Sequence, residues 1–261
     1  MMDYIEGLVS IVMPTYNCGK YILDSIDSVL AQTYTNWELI IIDDCSTDNT
    51  KEIVDCVIKE NLNKSIAVYQ NETNKGVSFS RNYAVSKARG EYIAFLDSDD
   101  MWMPDKLQKQ VDVAILNPNI PIIFTATAYI KENGERFDYV LNVPNEIFRD
   151  KLLEQNIISC SSVLVRHECL LSNKMPEVAG LIHEDFATWI NILSDGSCAC
   201  GINEPLLLYR VRETSKSSSK AKAAIMNWNT YRYCNIPVTK AIGYMFKYAT
   251  NGFKKYAHLH D

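Results

Sequence analysis

Three carboxylates stand within four positions, at Asp97, Asp99 and Asp100, directly after the apolar run YIAFL (92–96). Acids crowded this closely raise one another's pKa unless a cation neutralises them. A hard divalent cation such as Mn²⁺ or Mg²⁺ does so, and it commonly bridges protein carboxylates to substrate phosphates. Residues two apart in an extended chain face the same side, so Asp97 and Asp99 are expected to point together, one toward a ligand and one toward a metal. An acidic turn capping the next helix is the competing reading. Asp43 and Asp44 pose the same question after ELIII (38–42). Adjacent strand residues face opposite ways, so at most one of these two meets a given ligand, the other bracing the loop. Glu184 and Asp185 form a third acidic pair, at a helix start. They lie ~100° apart around the helix, so only one can face a reacting centre. One of the two could then serve as a general base while the other orients the loop. The alternative is that both are first-turn acids favoured by the helix dipole.

Strands and helices must hold these groups together. Residues 9–13, 38–43, 66–69, 92–96 and 122–128 read as strands, most of them continuously apolar, which suits a sheet covered on both faces. Helical spacing follows at 22–30, 53–58, 78–88 and 104–116. Alternating strands and helices indicate a doubly wound α/β sheet, and ligands bind such sheets at the carboxyl ends of the strands. The polar clusters at 14–17, 43–48 and 97–100 all occupy such ends. Beyond about residue 145 the pattern loosens; residues 183–193 read as a helix and 206–209 as a strand. Residues 214–219, with Lys216, read either as a lid over a ligand or as an ordinary solvated loop.

The chain has 261 residues, 47% of them hydrophobic and 22% charged, which is ample for a large core. No run approaches the length of a membrane-spanning helix, and the start carries no basic and apolar leader pattern, so a cytoplasmic location is expected. Eight cysteines in such a setting read as free thiols, and Cys198 and Cys200 lack the spacing and partners of a zinc site. The net charge of −6 is uneven. From residue 210 onward ten Lys/Arg face two Asp/Glu, whereas sixteen face thirty before it. An acidic body argues against nucleic acid as a partner, while a basic tail suits an anionic surface.

In that tail, Val238, Ile242, Met245, Ala249, Phe253 and Tyr256 fall on one helical stripe, with Lys240, Lys247 and Lys254 opposite. The stripe is expected either to dock on the body or to lie in an anionic membrane surface, with the chain peripheral on the inner face of the cell membrane.

The segments VSIVMPTYN (9–17), DDCSTD (43–48), NKGVSFSRN (74–82) and GEYIAFLDSDD (90–100) resemble, in order, the motifs of family 2 glycosyltransferases. Glu184-Asp185 with Trp189, and Tyr209-Arg210, resemble that family's later motifs, so the likeness covers roughly residues 8–220. The resemblance implies the GT-A fold, a Rossmann-like mixed sheet with helices on both faces, here with a C-terminal helical extension. On this reading residues 1–220 are catalytic, with a nucleotide-binding half to about 130 and an acceptor-binding half from about 131. Residues 221–261 are the tail. It further implies inverting, metal-dependent transfer from a nucleoside diphosphate sugar. Pro14, Thr15, Tyr16, Asp44 and Arg81 match positions lining the nucleotide pocket, with Asn17, Gly76 and Ser98 beside them. Asp97 matches the ribose or donor contact, Asp99 the metal ligand and Asp185 the base; Glu184 and Trp189 fall on the acceptor side. Where the family often has Tyr-Arg-x-His, this chain reads Tyr209-Arg-Val-Arg212. An Arg does not ligate a metal but can grip a diphosphate, a role open to both Arg210 and Arg212.

Short members with such tails resemble the enzymes of bacterial capsule and O-antigen assembly. That likeness implies a UDP-hexose donor, glucose or galactose, and a sugar acceptor on a polyprenyl diphosphate. Two rivals remain at this stage. A nucleotidyltransferase would open on a glycine-rich loop, which residues 14–17 lack. A non-catalytic nucleotide-sugar-binding subunit is disfavoured by the intact Asp99 and Asp185.

Overall fold

The computed structural model describes residues 4–178, 180–212 and 220–257. In chain order the elements are β1 (Ile5–Thr15), α1 (Ile22–Leu30), β2 (Trp37–Asp43), α2 (Thr50–Glu60), β3 (Ile66–Gln70), α3 (Val77–Lys87), β4 (Gly90–Phe95) and β5 (Met101–Trp102). They continue as α4 (Lys106–Leu116), β6 (Ile122–Ile130), β7 (Arg136–Leu141), β8 (Glu146–Phe148), α5 (Arg149–Glu154), β9 (Leu164–Arg166) and α6 (His167–Ser172). The last are α7 (Glu184–Ile192), β10 (Cys198–Arg210), α8 (Lys220–Tyr233) and α9 (Val238–Ala257). The expected loop 214–219 lies outside the described residues.

The strands form one mixed sheet of order β3-β2-β1-β4-β9-β6-β10-β5, with β7 added to β6 and β8 to β10. β1 pairs in parallel with both β2 and β4, whereas β9 runs antiparallel between β4 and β6. Side-chain alternation explains why these strands need apolar residues at every position. On β1 and β2, Val9, Ile11, Met13, Leu39 and Ile41 meet α1, α2 and α4 on one face. Val12, Ile40 and Ile42 enter the opposite core, shared with α3, α5, α7 and α8. Full burial of each such side chain contributes about 1.5–3 kcal/mol.

The short elements β5, β7, β8, α5 and α6 carry too few residues for a clear period, and sequence reading passes over them; residues 156–165, expected as strand or turn, lead into β9. Their positions are set by long-range pairing, as where Met101 and Trp102 bond to Leu208 and Leu207.

α9 departs from expectation in which face it docks. Ala241 is fully buried, and Tyr244 and Met245 pack against the core beside it. Earlier members of the apolar stripe face outward, Val238 48% and Ile242 58% exposed, as does Phe246 beside them at 75%. The helix is thus both docked and amphipathic, because docking uses an adjacent sector of its circumference. Lys247 leans back to Glu154 at 2.8 Å. No helix among the described residues is long and apolar enough to cross a membrane.

Candidate active site

The sheet opens where its order switches. β1 pairs with β2 as far as Thr15 and Asp43, but with β4 only as far as Val12 and Phe95, followed by one bond from the Leu96 N–H to the Val12 carbonyl. Pro14 has no N–H to continue that ladder. Pairing therefore stops where residues 15–17 and 97–100 leave the sheet, at a switch point where ligands of open α/β sheets bind.

On the β1 side, Thr15 is buried and its hydroxyl has no protein partner, while Tyr16 is half exposed. Asn17 adopts the left-handed region (φ 48°), which Asn tolerates better than most residues. Its side-chain oxygen is engaged within the protein. Its Oδ1 accepts from the Thr47 N–H at 2.8 Å, its own N–H donates to Ser46 Oγ at 2.9 Å, and Gly19 N–H donates to Asp48 at 3.0 Å. Asn17 thus stitches the first loop to the 46–50 loop.

Asp43 and Asp44 are both buried. Asp43 accepts from the Ser46 N–H at 3.1 Å and from Gln70 at 3.0 Å. Asp44 accepts from Asn71 at 2.7 Å and from the N–H groups of Lys75 and Gly76 at 2.8 Å each. Gly76 holds φ 87°, a conformation costly for any residue with a Cβ, and this lets its N–H reach Asp44. Asp44 therefore shapes the 71–76 loop from beneath.

The β4 end is built differently. The 97–100 segment is a turn, closed by a bond from the Asp100 N–H to the Asp97 carbonyl at 3.0 Å, and not the extended chain that spacing predicts. Its three carboxylates accordingly go three ways. Asp97 pairs with Arg81 Nη2 at 2.5 Å. Asp99 pairs with Arg212 Nη1 at 3.0 Å. Asp100 is buried and accepts from the Arg210 N–H at 3.0 Å. Burial pushes the Asp100 carboxyl well up, and Asp99 and Asp97 add to it. Burial and then Asp97 also raise the Asp99 carboxyl, against the opposing pull of Arg212. Ser98 is buried, its carbonyl accepting from the Cys18 thiol at 3.2 Å. Beneath the turn, Ser161 Oγ accepts from the Asp97 N–H at 3.1 Å.

Arg81 joins this end to the third acidic pair. Its guanidinium is 5% exposed, touches Asp97 and reaches Glu184 Oε1 at 3.7 Å. Burial works against its charge, but Asp97 and then Glu184 outweigh that and raise its pKa well above the usual value. Glu184 is thereby tied to the Asp97 turn through Arg81. Asp185 is only partly enclosed, and its Oδ1 accepts from the Phe186 N–H at 2.7 Å. Burial and then Glu184 push its carboxyl up, against Arg81. α7 is aimed by α8: the His183 N–H donates to Thr230 Oγ1 at 2.9 Å, and the His183 ring lies 3.3 Å from the Ala223 carbonyl.

Two expected contacts fall elsewhere. Trp189, placed on the acceptor side by resemblance, is 0% exposed and packs in the core, its ring centroid 6.2 Å from that of Phe95. One helical turn past Asp185, that face of α7 points into the sheet. Arg210 is 3% exposed, and its guanidinium donates to the Asp99 carbonyl, the Glu132 carbonyl and Asp24 at 2.9, 3.0 and 2.9 Å. It braces the turn and is not placed for a ligand, which leaves Arg212 facing the crevice. Sequence reading missed Tyr21, whose ring lies under both Arg210 (4.8 Å) and Arg212 (5.3 Å) and whose hydroxyl bonds Glu132 at 2.5 Å. No local signal could have found it, since its partners are more than a hundred residues away.

Among the described residues no three His, Cys, Asp or Glu side chains converge as a cation cage. The donor set nevertheless fits Mg²⁺ or Mn²⁺. Asp100 is buried, but Asp97 and Asp99 are partly exposed carboxylates at the crevice, each held by one arginine, and such ions are commonly held by one or two carboxylates together with substrate phosphates.

Residues 10–167 match the model of glycosyl transferase family 2. The chain is 38% identical, over 96% of its length and 98% of the relative's, to the glycosyltransferase TuaG of Bacillus subtilis, whose name assigns it to teichuronic acid biosynthesis. It is 36% identical to the Escherichia coli UDP-Glc:alpha-D-GlcNAc-diphosphoundecaprenol beta-1,3-glucosyltransferase WfgD, over 98% of this chain and 97% of that one. Among solved structures, the Pyrobaculum calidifontis mannosyltransferase PcManGT in complex with GDP-Man and Mn²⁺ superposes with a TM-score of 0.71 at 19% identity, covering 91% of this chain and 69% of that one. Staphylococcus aureus TarS (residues 1–349) with UDP-GlcNAc gives 0.69 at 23% identity, covering 87% and 65%. These two likenesses establish the GT-A fold.

Proposed function

The chain belongs to glycosyl transferase family 2 and is a glycosyltransferase, and from that premise we propose that it transfers a hexose from a UDP-sugar, with inversion, to a hydroxyl of a lipid-diphosphate-linked sugar. The observation that carries the mechanism is Arg81, one buried guanidinium touching both Asp97 at the end of β4 and Glu184 at the start of α7. It fixes the distance between the turn that meets the donor and the helix that carries the base.

In this reading Pro14, Thr15 and Tyr16 line the nucleotide site, with the unpartnered Thr15 hydroxyl free for the base and the exposed Tyr16 ring free to stack on it. Asp44 acts through the 71–76 loop that it holds. Asp97 meets the donor's ribose or sugar, and Arg212 meets the diphosphate. Asp185 takes the proton of the acceptor hydroxyl as that oxygen attacks the anomeric carbon. Its raised pKa suits a base that must hold the proton once taken. Asp99 would hold Mn²⁺ or Mg²⁺, which when bound offsets the charge developing on the leaving diphosphate.

The acceptor class rests on the relatives. WfgD is named for glucose transfer from UDP-Glc to GlcNAc on diphosphoundecaprenol. A β product from the α-linked donor requires inversion. Assembly of a bacterial surface polysaccharide follows from the same likeness and from TuaG. An acceptor on a lipid also gives a role to the outward stripe of α9, Val238, Ile242 and Phe246, as a contact with an anionic membrane. Residues 1–220 are then the catalytic domain, donor half first and acceptor half from about 131, and 221–261 the membrane-proximal helical extension.

The test is UDP release from UDP-glucose and UDP-galactose with Mn²⁺ or Mg²⁺ and a lipid-diphosphate GlcNAc acceptor, comparing the wild type with Asp99→Ala and Asp185→Asn. Metal-dependent turnover on one donor, lost in both variants, is the expected result. Turnover retained by Asp185→Asn removes the proposed base.

A further inference from the structure

Arg212 occupies an unusual place. Its Nη1 donates to Asp99 Oδ2 at 3.0 Å, so the candidate metal ligand is already satisfied by a cation of the protein's own. Neither partner is deeply buried: the Arg212 side chain is 32% exposed and that of Asp99 25%. The guanidinium also lies 5.3 Å over the Tyr21 ring. That ring is itself fixed, being buried, and its hydroxyl bonds Glu132, which Lys20 also holds at 2.7 Å. Arg210 covers the same ring, but its guanidinium is committed to three oxygens and cannot move. Among the described residues Arg212 has one ionic partner, Asp99, and the Tyr21 ring as its platform, with Arg210 beside it.

We infer that Arg212 is a latch on Asp99 that makes cation binding depend on the donor diphosphate. The inference rests on the assignment of Asp99 as metal ligand. A divalent cation approaching Asp99 in the free protein meets a carboxylate already neutralised, with a fixed positive charge beside it. Both effects oppose binding. A diphosphate supplies what releases the latch. It presents the planar Arg212 with oxygens that it can grip through two parallel N–H bonds, a stronger match than the single bond to Asp99. The Asp99 oxygen is then freed for the cation as phosphate oxygens arrive to complete its coordination. Tyr21 limits the movement to a pivot across its ring face, so the exchange needs no backbone change.

The exchange has a thermodynamic signature. If the diphosphate raises cation affinity, the cation must raise diphosphate affinity by the same factor. An imidazole at position 212 would add a ligand and strengthen cation binding in the free protein. The arginine does the reverse and withholds the metal until the donor is present.

The experiment measures Mn²⁺ binding by the free-ion signal in electron paramagnetic resonance, with and without UDP, for the wild type, Arg212→Ala and Arg212→Lys. UDP binding is followed in parallel by calorimetry with and without Mn²⁺. For the wild type, UDP should tighten Mn²⁺ by about tenfold or more, within the usual range of coupling between sites. Arg212→Ala should bind Mn²⁺ more tightly than the wild type without UDP, bind UDP more weakly without Mn²⁺, and show less coupling. Arg212→Lys keeps the charge without the fork and should fall between. Equal Mn²⁺ affinity of free wild type and Arg212→Ala, with unchanged coupling, would overturn the latch while leaving Asp99 as a ligand. Absence of Mn²⁺ binding from all three proteins with UDP present overturns the metal reading itself and the latch with it.

Discussion

The acidic ends of β2 and β4 flank the same strand and look alike in sequence, yet they are held by opposite means. Asp43 and Asp44 take neutral donors: the N–H groups of Ser46, Lys75 and Gly76, and the side-chain amides of Gln70 and Asn71. Those donors are uncharged backbone and amide groups at the end of β3 and in the adjoining loops, so the carboxylates tie local segments together. At the β4 end, Asp97 and Asp99 take guanidinium groups on side chains from distant elements. Of these, Arg81 is buried and shared with Glu184, whereas Arg212 is partly exposed and can meet another anion. An aspartate cluster is thus marked as structural or functional by what neutralises it, and not by how many acids it contains.

The sharpest way to break the comparison starts from its functional side. Asp185→Asn keeps the shape of the third acidic pair and removes only proton acceptance. Steady-state kcat is expected to fall by about 10²–10⁴-fold with the melting temperature unchanged. The wild-type pH profile carries the same information. The base must be deprotonated to act, and burial with Glu184 raises its pKa in the free protein, so kcat/KM should decline toward acid through a midpoint above that of an ordinary aspartate. In Asp185→Asn that acid limb should be absent.

Asp99→Asn and Asp44→Asn should then separate. Asp99 sits beside Asp97 with its carboxyl raised by burial and repulsion, so its neutralisation should leave stability unchanged or slightly higher while metal-dependent turnover is lost. Asp44→Asn turns an amide N–H₂ toward a set of donors, and should cost about 2 kcal/mol in urea unfolding. Equal stability losses in both variants would mean that the two ends are not built on different principles.

Much of this was legible before any coordinates. The apolar runs of β1, β2 and β4 specify a two-sided parallel core, and polar strand ends specify where ligands meet it. Resemblance supplied Arg81, Asp97, Asp99 and Asp185, and in the structure the Arg81 guanidinium links Asp97, in the turn that carries Asp99, to Glu184 beside Asp185. Less legible was what each side chain faces. Asn17 and Asp44 are short polar groups at a strand end, a description that fits a ligand contact and a loop clasp equally well. Trp189 shares a helix face with Asp185, but one turn further along α7 that face is already packed in the core. Arg210 and Arg212 are alike in type and two apart, and only the packing of Tyr21, Asp24 and Glu132 decides that one braces and the other is free to move. Those partners come from remote segments, and spacing along the chain carries no trace of them.

The smallest expected effect tests the support beneath the β4 end. Ser161, which receives the Asp97 N–H, lies in a turn held by Trp102 Nε1 at 2.7 Å through its own carbonyl and by Gln110 at 2.9 Å through the Ser162 carbonyl. Lys106 completes this support from the buried side, donating to Gln110 Oε1 at 2.7 Å with its ammonium 4.0 Å over the Trp102 ring. Burial lowers the Lys106 pKa well below its usual value. Between that lowered value and the ~10.4 of an unfolded lysine, the unfolded chain binds a proton that the folded chain lacks, so stability attributable to this group rises with pH across that window. Below the folded value both states are protonated and the cost of enclosing the ammonium is present in full. Lys106→Met removes the titration while filling the same space. The difference in unfolding free energy between wild type and Lys106→Met, measured in urea at several pH values, should therefore shift in favour of the wild type as pH rises, by about 1 kcal/mol per unit inside the window. Taking the difference cancels the thiols and phenols that titrate in the same range. A flat difference would mean that Lys106 keeps its ordinary pKa in the folded protein. The ammonium would then be stabilised where it lies by Gln110 and the Trp102 ring, and the turn beneath Asp97 would rest on a cation of the same kind that holds Asp97 from above.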